Sequence, residues 1–313
     1  MTTAPDDAPV VERSSGKRIL IVGCGYLGSR VAENLSQAGH SVAVLTRSPA
    51  KAARLSDAGY TAIVGDLLDP ATVAQLPDAD ALLVAVTHDR SSGVPRRDVL
   101  VDGVAKLVQE MHSRIGRVIY VSSTGVYGQS DGSWIDEESP TEPSSEGGQL
   151  TLEAERALLQ ICNAPESGCE LTILRLAGIY GPGRLIARTE QLRSGTPVAG
   201  SPDAWLNLIH VDDAALLISR IAEGRGCSQI ILMCDDRPVR RGEFYGTIAR
   251  EIGAPPPSFD PDAATTRTRG LNKRCRNARM HAELIDEESG LLHPDSIAEV
   301  RRLIGRERAD SDR

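Results

Sequence analysis

The sequence predicts an α/β protein: a doubly wound parallel sheet with a smaller, interleaved C-terminal cap domain. From Lys17 onward, short apolar runs alternate with segments that are apolar at helical spacing, as in a parallel sheet with crossover helices. After about residue 178 the texture changes, because stretches rich in Gly and Pro, such as 195–202 and 254–257, break the chain into shorter elements. The first observation predicts the sheet, and the second predicts the cap.

The alternating part of the chain can be divided into individual elements. A glycine after the last apolar position, such as Gly39 or Gly59, marks where a helix ends. Residues 129–148 are dense in Ser, Glu, Gly and Pro and are expected to form a loop. The expected strands are 18–22, 41–46, 61–64, 81–86, 117–121, 171–176 and 229–233, and the expected helices are 27–38, 50–58, 98–111, 150–162 and 213–223.

Domain boundaries follow from the same pattern. The helix 213–223 and the strand 229–233 have the composition of core elements, so they are assigned to the sheet domain although they follow the first irregular segment. The assignment is a sheet domain at 17–178 and 207–236, a cap domain at 179–206 and 237–300, a disordered leader at 1–16 and a tail at 301–313.

The bulk composition excludes some classes of protein. The chain has 313 residues, of which 41% are hydrophobic and 25% charged, as in a globular protein with a full core. The net charge of −8 argues against a nucleic-acid partner, since no basic excess is available to neutralise phosphates. The basic run 267–279 is interpreted as a solvated or substrate-anion-facing segment. No run of 18 apolar residues is present, so no membrane span is expected.

The six cysteines show neither a Cys-x-x-Cys motif nor a Cys/His spacing suited to zinc, so no metal site is expected. Buried free thiols are the simpler interpretation, and they favour a reducing, cytoplasmic location. A small-molecule substrate is the expected partner. The oligomeric state is left open, with a homodimer as one option.

A glycine motif follows the first predicted strand and opens the first predicted helix: Gly23-Cys-Gly25-Tyr26-Leu27-Gly28. The first glycine permits a tight turn, the second lets the backbone approach a pyrophosphate, and the third allows the helix to pack closely on the strand. An anionic pyrophosphate is then favoured at the helix N-terminus. The motif predicts dinucleotide binding in a Rossmann domain; the alternative is a purely structural glycine turn.

The end of the second strand bears on the choice between NADP and NAD. Sites that prefer NAD place a carboxylate there to bind the ribose 2′-hydroxyl. This chain instead has Arg47 and Ser48, with Lys51 one turn later, and either of the first two could bind a 2′-phosphate. NADP is therefore the expected cofactor and NAD the less favoured one, unless Arg47 is merely a solvated residue at a helix entry.

Residues after the third and fourth strands are assigned to the same cofactor site. Asp66 and Leu67 stand where an adenine-edge contact is usual, although Asp66 could equally be a helix N-cap. Ala85 near the end of the fourth strand and Thr87 directly after it complete the expected cofactor edge.

Three further phrases occur in order: Val121-Ser-Ser-Thr-Gly-Val-Tyr-Gly128, Leu174-Arg-Leu-Ala-Gly-Ile-Tyr-Gly-Pro-Gly-Arg184 and Asn207-Leu-Ile-His-Val-Asp-Asp213. Together with the glycine turn they resemble the extended short-chain dehydrogenase/reductase family, in its NAD-dependent epimerase/dehydratase group. The similarity runs from about Lys17 to about Asp235, and 272–280 resembles the substrate-domain tail of an atypical branch. The resemblance implies an oxidoreductase or epimerase acting on a small polar, sugar-nucleotide-like metabolite.

The resemblance also implies roles for single residues. Ser123 matches the family's active-site serine or threonine, which donates a hydrogen bond to the substrate oxygen. Gly178 lies in the segment 177–180 that matches the loop around the nicotinamide. Structural roles are implied for Tyr127 and Gly128 behind the serine and, as anchors of the cap, for Asn207, His210 and Asp212.

The chain departs from the family at the Tyr-x-x-x-Lys pair, in which the lysine cation lowers the tyrosine pKa so that the phenol can exchange a proton. None of the six tyrosines is followed by lysine four residues later. The family's phrase falls on a stretch with Gly147 at the tyrosine position and Thr151 at the lysine position, and the paired glycines predict a flexible loop at the helix entrance.

The missing pair limits the functional prediction. Tyr180 is the first candidate for a substitute proton donor and Glu153 the second; the acidic residues at 136–138 fit a solvated loop better than a catalytic pair. The chain is predicted to be an atypical NADP(H)-binding oxidoreductase or epimerase-like protein, with little turnover of ordinary sugar nucleotides. The alternative is a non-catalytic dinucleotide-binding sensor or scaffold. A dehydrogenase of the β-hydroxyacid type is disfavoured, since the ordered phrases indicate another family.

Overall fold

The computed structural model describes residues 16–262, 272–286 and 290–311. The predicted leader therefore lies outside the described residues except for Gly16, and so does 267–271 of the basic run. The strands of the described part, in chain order, are β1 (Arg18–Val22), β2 (Ser41–Thr46), β3 (Thr61–Val64), β4 (Ala79–Val84), β5 (Ile115–Ser123), β6 (Trp134–Ile135), β7 (Glu170–Leu176), β8 (Gly178–Tyr180), β9 (Val198–Ala199), β10 (Trp205–Leu206), β11 (Leu208–His210), β12 (Ile230–Met233), β13 (Val239–Arg240), β14 (Phe259–Asp260) and β15 (Arg274–Cys275).

The helices alternate with the long strands in the first part of the chain. A π-helical stretch, Asp98–Gly103, leads directly into α4. The helices are α1 (Gly28–Gln37), α2 (Pro49–Asp57), α3 (Pro70–Ala74), α4 (Val104–Met111), α5 (Glu146–Cys162), α6 (Ile186–Arg193), α7 (Val211–Ala222), α8 (Arg241–Ile252), α9 (Ala278–Leu284) and α10 (Ser296–Ser311). None of them combines the length and apolarity needed to cross a lipid bilayer.

A seven-stranded sheet forms the centre of the fold, with strand order β12-β7-β5-β4-β1-β2-β3. All neighbouring strands in it are parallel. The order reverses between β1 and β4, so crossover helices lie on both faces. The predicted doubly wound parallel sheet is therefore confirmed.

Both faces of this sheet are buried, which explains why its strands are almost continuously apolar. In β1, Ile19 and Ile21 face one core cluster, which α1, α7 and α9 cover. Leu20 and Val22 face the other cluster, which α4 and α5 cover. Successive side chains of a strand point to opposite faces, so one short segment contributes to both cores.

A third core cluster belongs to the second half of the chain and joins β8, α6, α8 and α10. Its packing differs from the predicted division at two places. Leu303 and Ile304 are buried in this cluster, so the chain beyond 301 continues α10 and does not begin a tail. Met280 and Leu284 of α9 pack instead with the sheet domain, although the prediction placed them in the cap.

Candidate functional site

The carboxyl ends of the parallel strands gather the predicted site residues at one edge of the sheet. In the register of the sheet, Val22 lies beside Val84, so β1 and β4 end at one level. Val84 lies beside Tyr120, and β5 and β7 continue past that level to end together at Ser123 and Leu176. Ligands of open α/β sheets bind outside these carboxyl ends, where the strand order reverses. Here that point lies between β1 and β4, next to the glycine motif.

The glycine turn has the geometry that a pyrophosphate requires. Gly23 has a φ of +104°, and a β-carbon there would lie 2.3 Å from the carbonyl oxygen of Ala85. A β-carbon at Gly28 would lie 2.4 Å from the carbonyl oxygen of Gly23, so Gly23 and Gly28 are needed for packing. Gly25 is different, since it is exposed and a β-carbon there would meet no atom within 4 Å. The open space above Gly25 fits a bound phosphate group.

Tyr26 connects this turn to the second half of the chain. Two guanidinium groups, those of Arg30 and Arg184, each lie 4.3 Å from the centroid of its ring. Its hydroxyl donates a hydrogen bond to the carbonyl oxygen of Pro182 at 2.9 Å. Leu27 beside it is buried in the core. Tyr26 therefore holds the loop after β8 against the candidate cofactor turn.

The residues after β2 form a basic corner. Arg47 is exposed, and its Nη2 lies 3.5 Å from a carboxylate oxygen of Asp89. Ser48 caps α2, since its Oγ accepts a hydrogen bond from Lys51 N at 3.2 Å. The ammonium group of Lys51 donates to the carbonyl oxygen of Cys24 within the glycine turn, a contact that the sequence did not indicate. The corner offers two cations, of which Arg47 is paired with an exposed carboxylate.

The segment after β3 separates the two interpretations of Asp66. Its carboxylate accepts a hydrogen bond from Leu68 N at 2.9 Å, which makes a local turn. The N-cap of α3 is Asp69, which accepts from Ala71 N at 3.1 Å, so the N-cap interpretation of Asp66 is wrong. Leu67 is half-buried against the core cluster under α4. An adenine-edge role for Asp66 and Leu67 stays a prediction.

Ser123, Thr87 and Gly178 are all exposed at the carboxyl edge of the sheet. The Ser123 Oγ accepts a hydrogen bond from Gly125 N at 3.1 Å, which leaves its own hydrogen able to point at a ligand. Gly178 N donates a hydrogen bond to the carbonyl oxygen of Asn207 at 3.1 Å. The backbone of the predicted nicotinamide loop is therefore held by the residue that precedes β11.

The position of the family's tyrosine lies in an ordered helical turn. Gly147 and Gly148 belong to α5, which begins at Glu146 and not at 150, so the predicted flexible loop at this entrance is wrong. The start of the helix is fixed because Ser145 Oγ accepts a hydrogen bond from Gly148 N at 3.1 Å. Thr151, at the lysine position, donates its hydroxyl to the carbonyl oxygen of Gly147 at 2.8 Å.

The surroundings of the two proposed substitute proton donors do not favour proton transfer to a substrate. Tyr180 is buried, and its ring packs edge-on against His210 with a centroid distance of 5.2 Å. Burial raises the pKa of the Tyr180 phenol far above its usual range, and the carboxylates of Asp235 and Glu299 raise it further. Glu153 forms an ion pair with Arg97. These surroundings argue against proton exchange between Tyr180 and a substrate beside Ser123.

A buried polar network holds the end of β5, the strand that carries Ser123. Arg175 Nη2 lies 2.7 Å from one carboxylate oxygen of Glu155, and the other oxygen accepts a hydrogen bond from Ser122. Arg175 Nη1 donates to the Tyr127 hydroxyl at 2.8 Å. Burial raises the pKa of Tyr127 to about 12, so this phenol is a structural acceptor and a poor source of protons.

The C-terminal strand β15 is anchored to the same region. Lys273 is buried, and its ammonium group donates to the carbonyl oxygen of Tyr127 at 2.6 Å. Burial lowers the pKa of Lys273 to about 8. Asn207 bridges to β15, since its amide donates to Lys273 O at 2.9 Å and accepts from Cys275 N at 2.7 Å. No local pattern in the sequence indicates that Lys273 lies behind the serine loop.

A group of metal-ligand side chains exists where the sequence predicted none: one atom each of His210, Asp213 and His293 lie within 4.8 Å of one another. Three of the available ligand atoms accept hydrogen bonds, whereas Nε2 of His210 has no hydrogen-bond partner among the described residues. Asp213 accepts backbone hydrogen bonds from Leu292 at 2.7 Å and His293 at 3.0 Å, and His210 Nδ1 accepts one from Asp212 N at 3.3 Å. The group is therefore better explained as an anchor between α7 and the chain before α10.

Comparison with known proteins identifies the family and the fold. Residues 19–231 match the NAD dependent epimerase/dehydratase family. Protein YeeZ of Escherichia coli is 33% identical over 78% of this chain and 86% of its own length. A 3-diazoavenalumate denitrifying reductase of Streptomyces is 26% identical over 81% of this chain and 87% of its own. DesIV, a dTDP-glucose 4,6-dehydratase from Streptomyces venezuelae solved with NAD and TYD bound, superposes with a TM-score of 0.78 at 20% identity, covering 94% and 98% of the two chains.

The family match covers most of the sheet domain, and its range includes the glycine turn, Ser123 and the segment 177–180. The likeness to DesIV extends over the whole fold, although at this identity it concerns the fold alone. The sequence motifs and the family match over more than half of the chain lead to the same assignment, so the chain belongs to the NAD-dependent epimerase/dehydratase family.

Proposed function

We propose that this protein binds NADP(H) at the glycine turn and acts as an atypical oxidoreductase or epimerase-like enzyme on a small polar metabolite. The observation that carries the proposal is the open space above Gly25, at the edge of the sheet where Ser123 is exposed. When bound, the nicotinamide would supply or accept a hydride. Gly23, Gly25 and Gly28 would hold the pyrophosphate, and Gly178 would lie beside the nicotinamide.

NADP is preferred over NAD in this proposal because the end of β2 carries no carboxylate. Arg47 and Ser48 are exposed there and can bind a 2′-phosphate by charge-assisted hydrogen bonds. The pairing of Arg47 with Asp89 is solvent-exposed and therefore weak, so a phosphate dianion can displace it. Asp66, Leu67, Ala85 and Thr87 are assigned to the remaining cofactor edge.

The reaction proposed for this site depends on hydride transfer more than on proton transfer. Ser123 can donate a hydrogen bond to a substrate oxygen, but a serine hydroxyl is a poor source of protons at neutral pH. For a substrate that needs a positioned proton donor, the reaction would lose the rate enhancement of roughly 10²–10⁴-fold that such a group typically contributes. A reductase among the relatives is consistent with a hydride-transfer role. We further propose that the substrate resembles a sugar nucleotide.

A titration of the purified protein with NADPH and NADH tests the cofactor proposal. We expect saturable binding of NADPH, and weaker binding of NADH. A panel of carbonyl and sugar-nucleotide substrates, compared between wild type and Ser123→Ala, tests the reaction. Robust turnover that survives Ser123→Ala would move the chemistry to other residues, and absence of binding to either dinucleotide would refute the cofactor site.

A second candidate function is a non-catalytic dinucleotide sensor or scaffold. It is favoured by the replacement of the tyrosine and lysine positions by Gly147 and Thr151, since Thr151 bonds back to its own helix. Cofactor binding without turnover on the substrate panel would support it. The cytoplasmic location and the homodimer also remain proposals; the six free cysteines support a reducing compartment.

A further inference from the structure

Arg96 lies against the position from which the family's tyrosine side chain would project. A β-carbon at Gly147 would lie 3.1 Å from Arg96 Nη2 and 3.9 Å from the central guanidinium carbon. Arg96 precedes the π-helical stretch that leads into α4 and is far from α5 in sequence, so tertiary packing places it there. The guanidinium thus stands beside the place where a phenol is missing.

The same helix start also packs on the serine turn. A β-carbon at Gly148 would lie 2.3 Å from the carbonyl oxygen of Gly125, whose N–H donates to Ser123 Oγ. The first turn of α5 therefore touches the Ser123 turn on one side and Arg96 on the other. Ser123 and Arg96 are both exposed near this end of α5, so solvent and ligands have access to each side chain.

The charges around Arg96 leave it available to an anion. Its Nη1 lies 3.3 Å from a carboxylate oxygen of Glu146, but the two side chains are 41% and 73% exposed, and exposed pairs contribute little stability. Neighbouring Arg97 is engaged by Glu153. A ligand anion can therefore displace Glu146 from Arg96.

We infer that Arg96 is a substrate-binding residue whose guanidinium holds an oxyanion group of the substrate, a carboxylate or a phosphate, beside Ser123. This inference rests on the proposed function, since it places the substrate at the same edge. An arginine keeps its proton in proteins and presents a planar fork to oxyanions. Arg96 therefore binds and orients its ligand at the tyrosine's place and does not transfer a proton.

The test uses sodium phosphate and sodium acetate as probes on the full chain saturated with NADPH, at constant ionic strength. NMR of protein labelled with ¹⁵N-arginine follows the Nε–H signals of Arg96 and Arg97, each assigned by its lysine variant. We expect saturable shifts of the Arg96 signal with at least one probe. Tighter binding of acetate would identify the group as a carboxylate, and tighter binding of phosphate would identify it as a phosphoryl group.

Four variants make the test specific. Isothermal titration calorimetry measures the probe affinity of each variant, because the Arg96 signal is lost when Arg96 is replaced. Arg96→Ala should weaken the favoured probe about tenfold or more, as expected when a charge-assisted contact is lost. Arg96→Lys should bind with intermediate affinity, because it keeps the charge but loses the fork. Glu146→Gln should strengthen binding, since it removes the competing carboxylate. Arg97→Ala is the matched control and should leave the affinity unchanged.

The inference fails if neither probe shifts the Arg96 signal, or if Arg96→Ala and Arg97→Ala reduce the affinity equally. NADPH is titrated against the same variants. Unchanged NADPH affinity with loss of the probe in Arg96→Ala supports the inference. Normal NADPH binding without any probe binding refutes the role of Arg96 alone, whereas absence of NADPH binding in the wild type refutes the proposed function.

Discussion

The space above Gly25 depends on one missing side chain, and the backbone there has no positive φ that would strain a larger residue. Gly25→Val should therefore fold and yet place two methyl groups where the pyrophosphate must lie. We expect NADPH affinity to fall by about tenfold or more, equal to about 1.4 kcal/mol or more. Fluorescence titration of NADPH measures it, with Gly226→Val as the control at another open, exposed glycine. Unchanged affinity in Gly25→Val would remove this turn from the cofactor site.

A second single residue, Arg47, is expected to set the preference for NADPH over NADH. Arg47→Ala should weaken NADPH far more than NADH, by about 1.5–3 kcal/mol, or roughly tenfold to over a hundredfold. Asp89→Asn should strengthen the binding of NADPH, because it releases Arg47 from its present ion pair. Parallel titrations with both dinucleotides measure the ratio, and Arg54→Ala on the exposed side of α2 is the control. Equal losses for NADPH and NADH would contradict the 2′-phosphate contact.

At the scale of elements, α5 is joined to β5 and β7 by a buried ion pair. Glu155 and Arg175 have side chains that are 1% and 5% exposed. Glu155→Leu leaves the guanidinium buried without a carboxylate, and such a loss typically costs about 3–5 kcal/mol of unfolding free energy. The double variant Glu155→Leu/Arg175→Met should recover most of that stability, since no charge remains buried.

Urea unfolding followed by circular dichroism measures these differences. The control is Glu170→Gln, which removes a carboxylate 70% exposed from its pair with Arg117 and should cost less than about 1 kcal/mol. A Glu155→Leu variant as stable as Glu170→Gln would show that the buried network does not hold α5 to the sheet.

At the scale of the whole molecule, stability should depend on pH through the buried His210. Burial lowers its pKa from 6.5 to about 4; His293 and Arg302 also lower it, against the carboxylates of Asp212 and Glu299. Between these two pH values the unfolded chain binds more protons than the folded one. The free energy of unfolding that depends on a neutral His210 is fully present above about pH 6.5. It is lost as the pH falls to about 4, and the loss amounts to roughly 3 kcal/mol.

The variant His210→Asn isolates this dependence, because asparagine can still accept a hydrogen bond at the start of α7. Unfolding free energies of both proteins between pH 7 and pH 4 provide the measurement. The wild type should lose stability more steeply than the variant over this interval. Identical slopes would assign the acid sensitivity to other groups.

The elements of the sheet domain could be predicted because their signals are local. The apolar runs of 18–22 and 41–46, the glycines at 23, 25 and 28, and the helix-ending Gly39 each follow from interactions between near neighbours in the chain. The second half was predicted less well. Residues 301–304 have too little periodicity to reveal that Leu303 and Ile304 fill a core built by distant elements.

Local patterns in the sequence therefore predict the fold class, the family and the position of the candidate cofactor turn. Tertiary packing, in contrast, decides which distant side chains meet near the turn that follows Ser123. Lys273 and Tyr127 are 146 residues apart, and Arg96 and Glu146 are 50 apart, so no local pattern connects them. The physical reason is that strand order and helix packing bring such residues together, whereas hydrophobic periodicity records only which face of each element is buried.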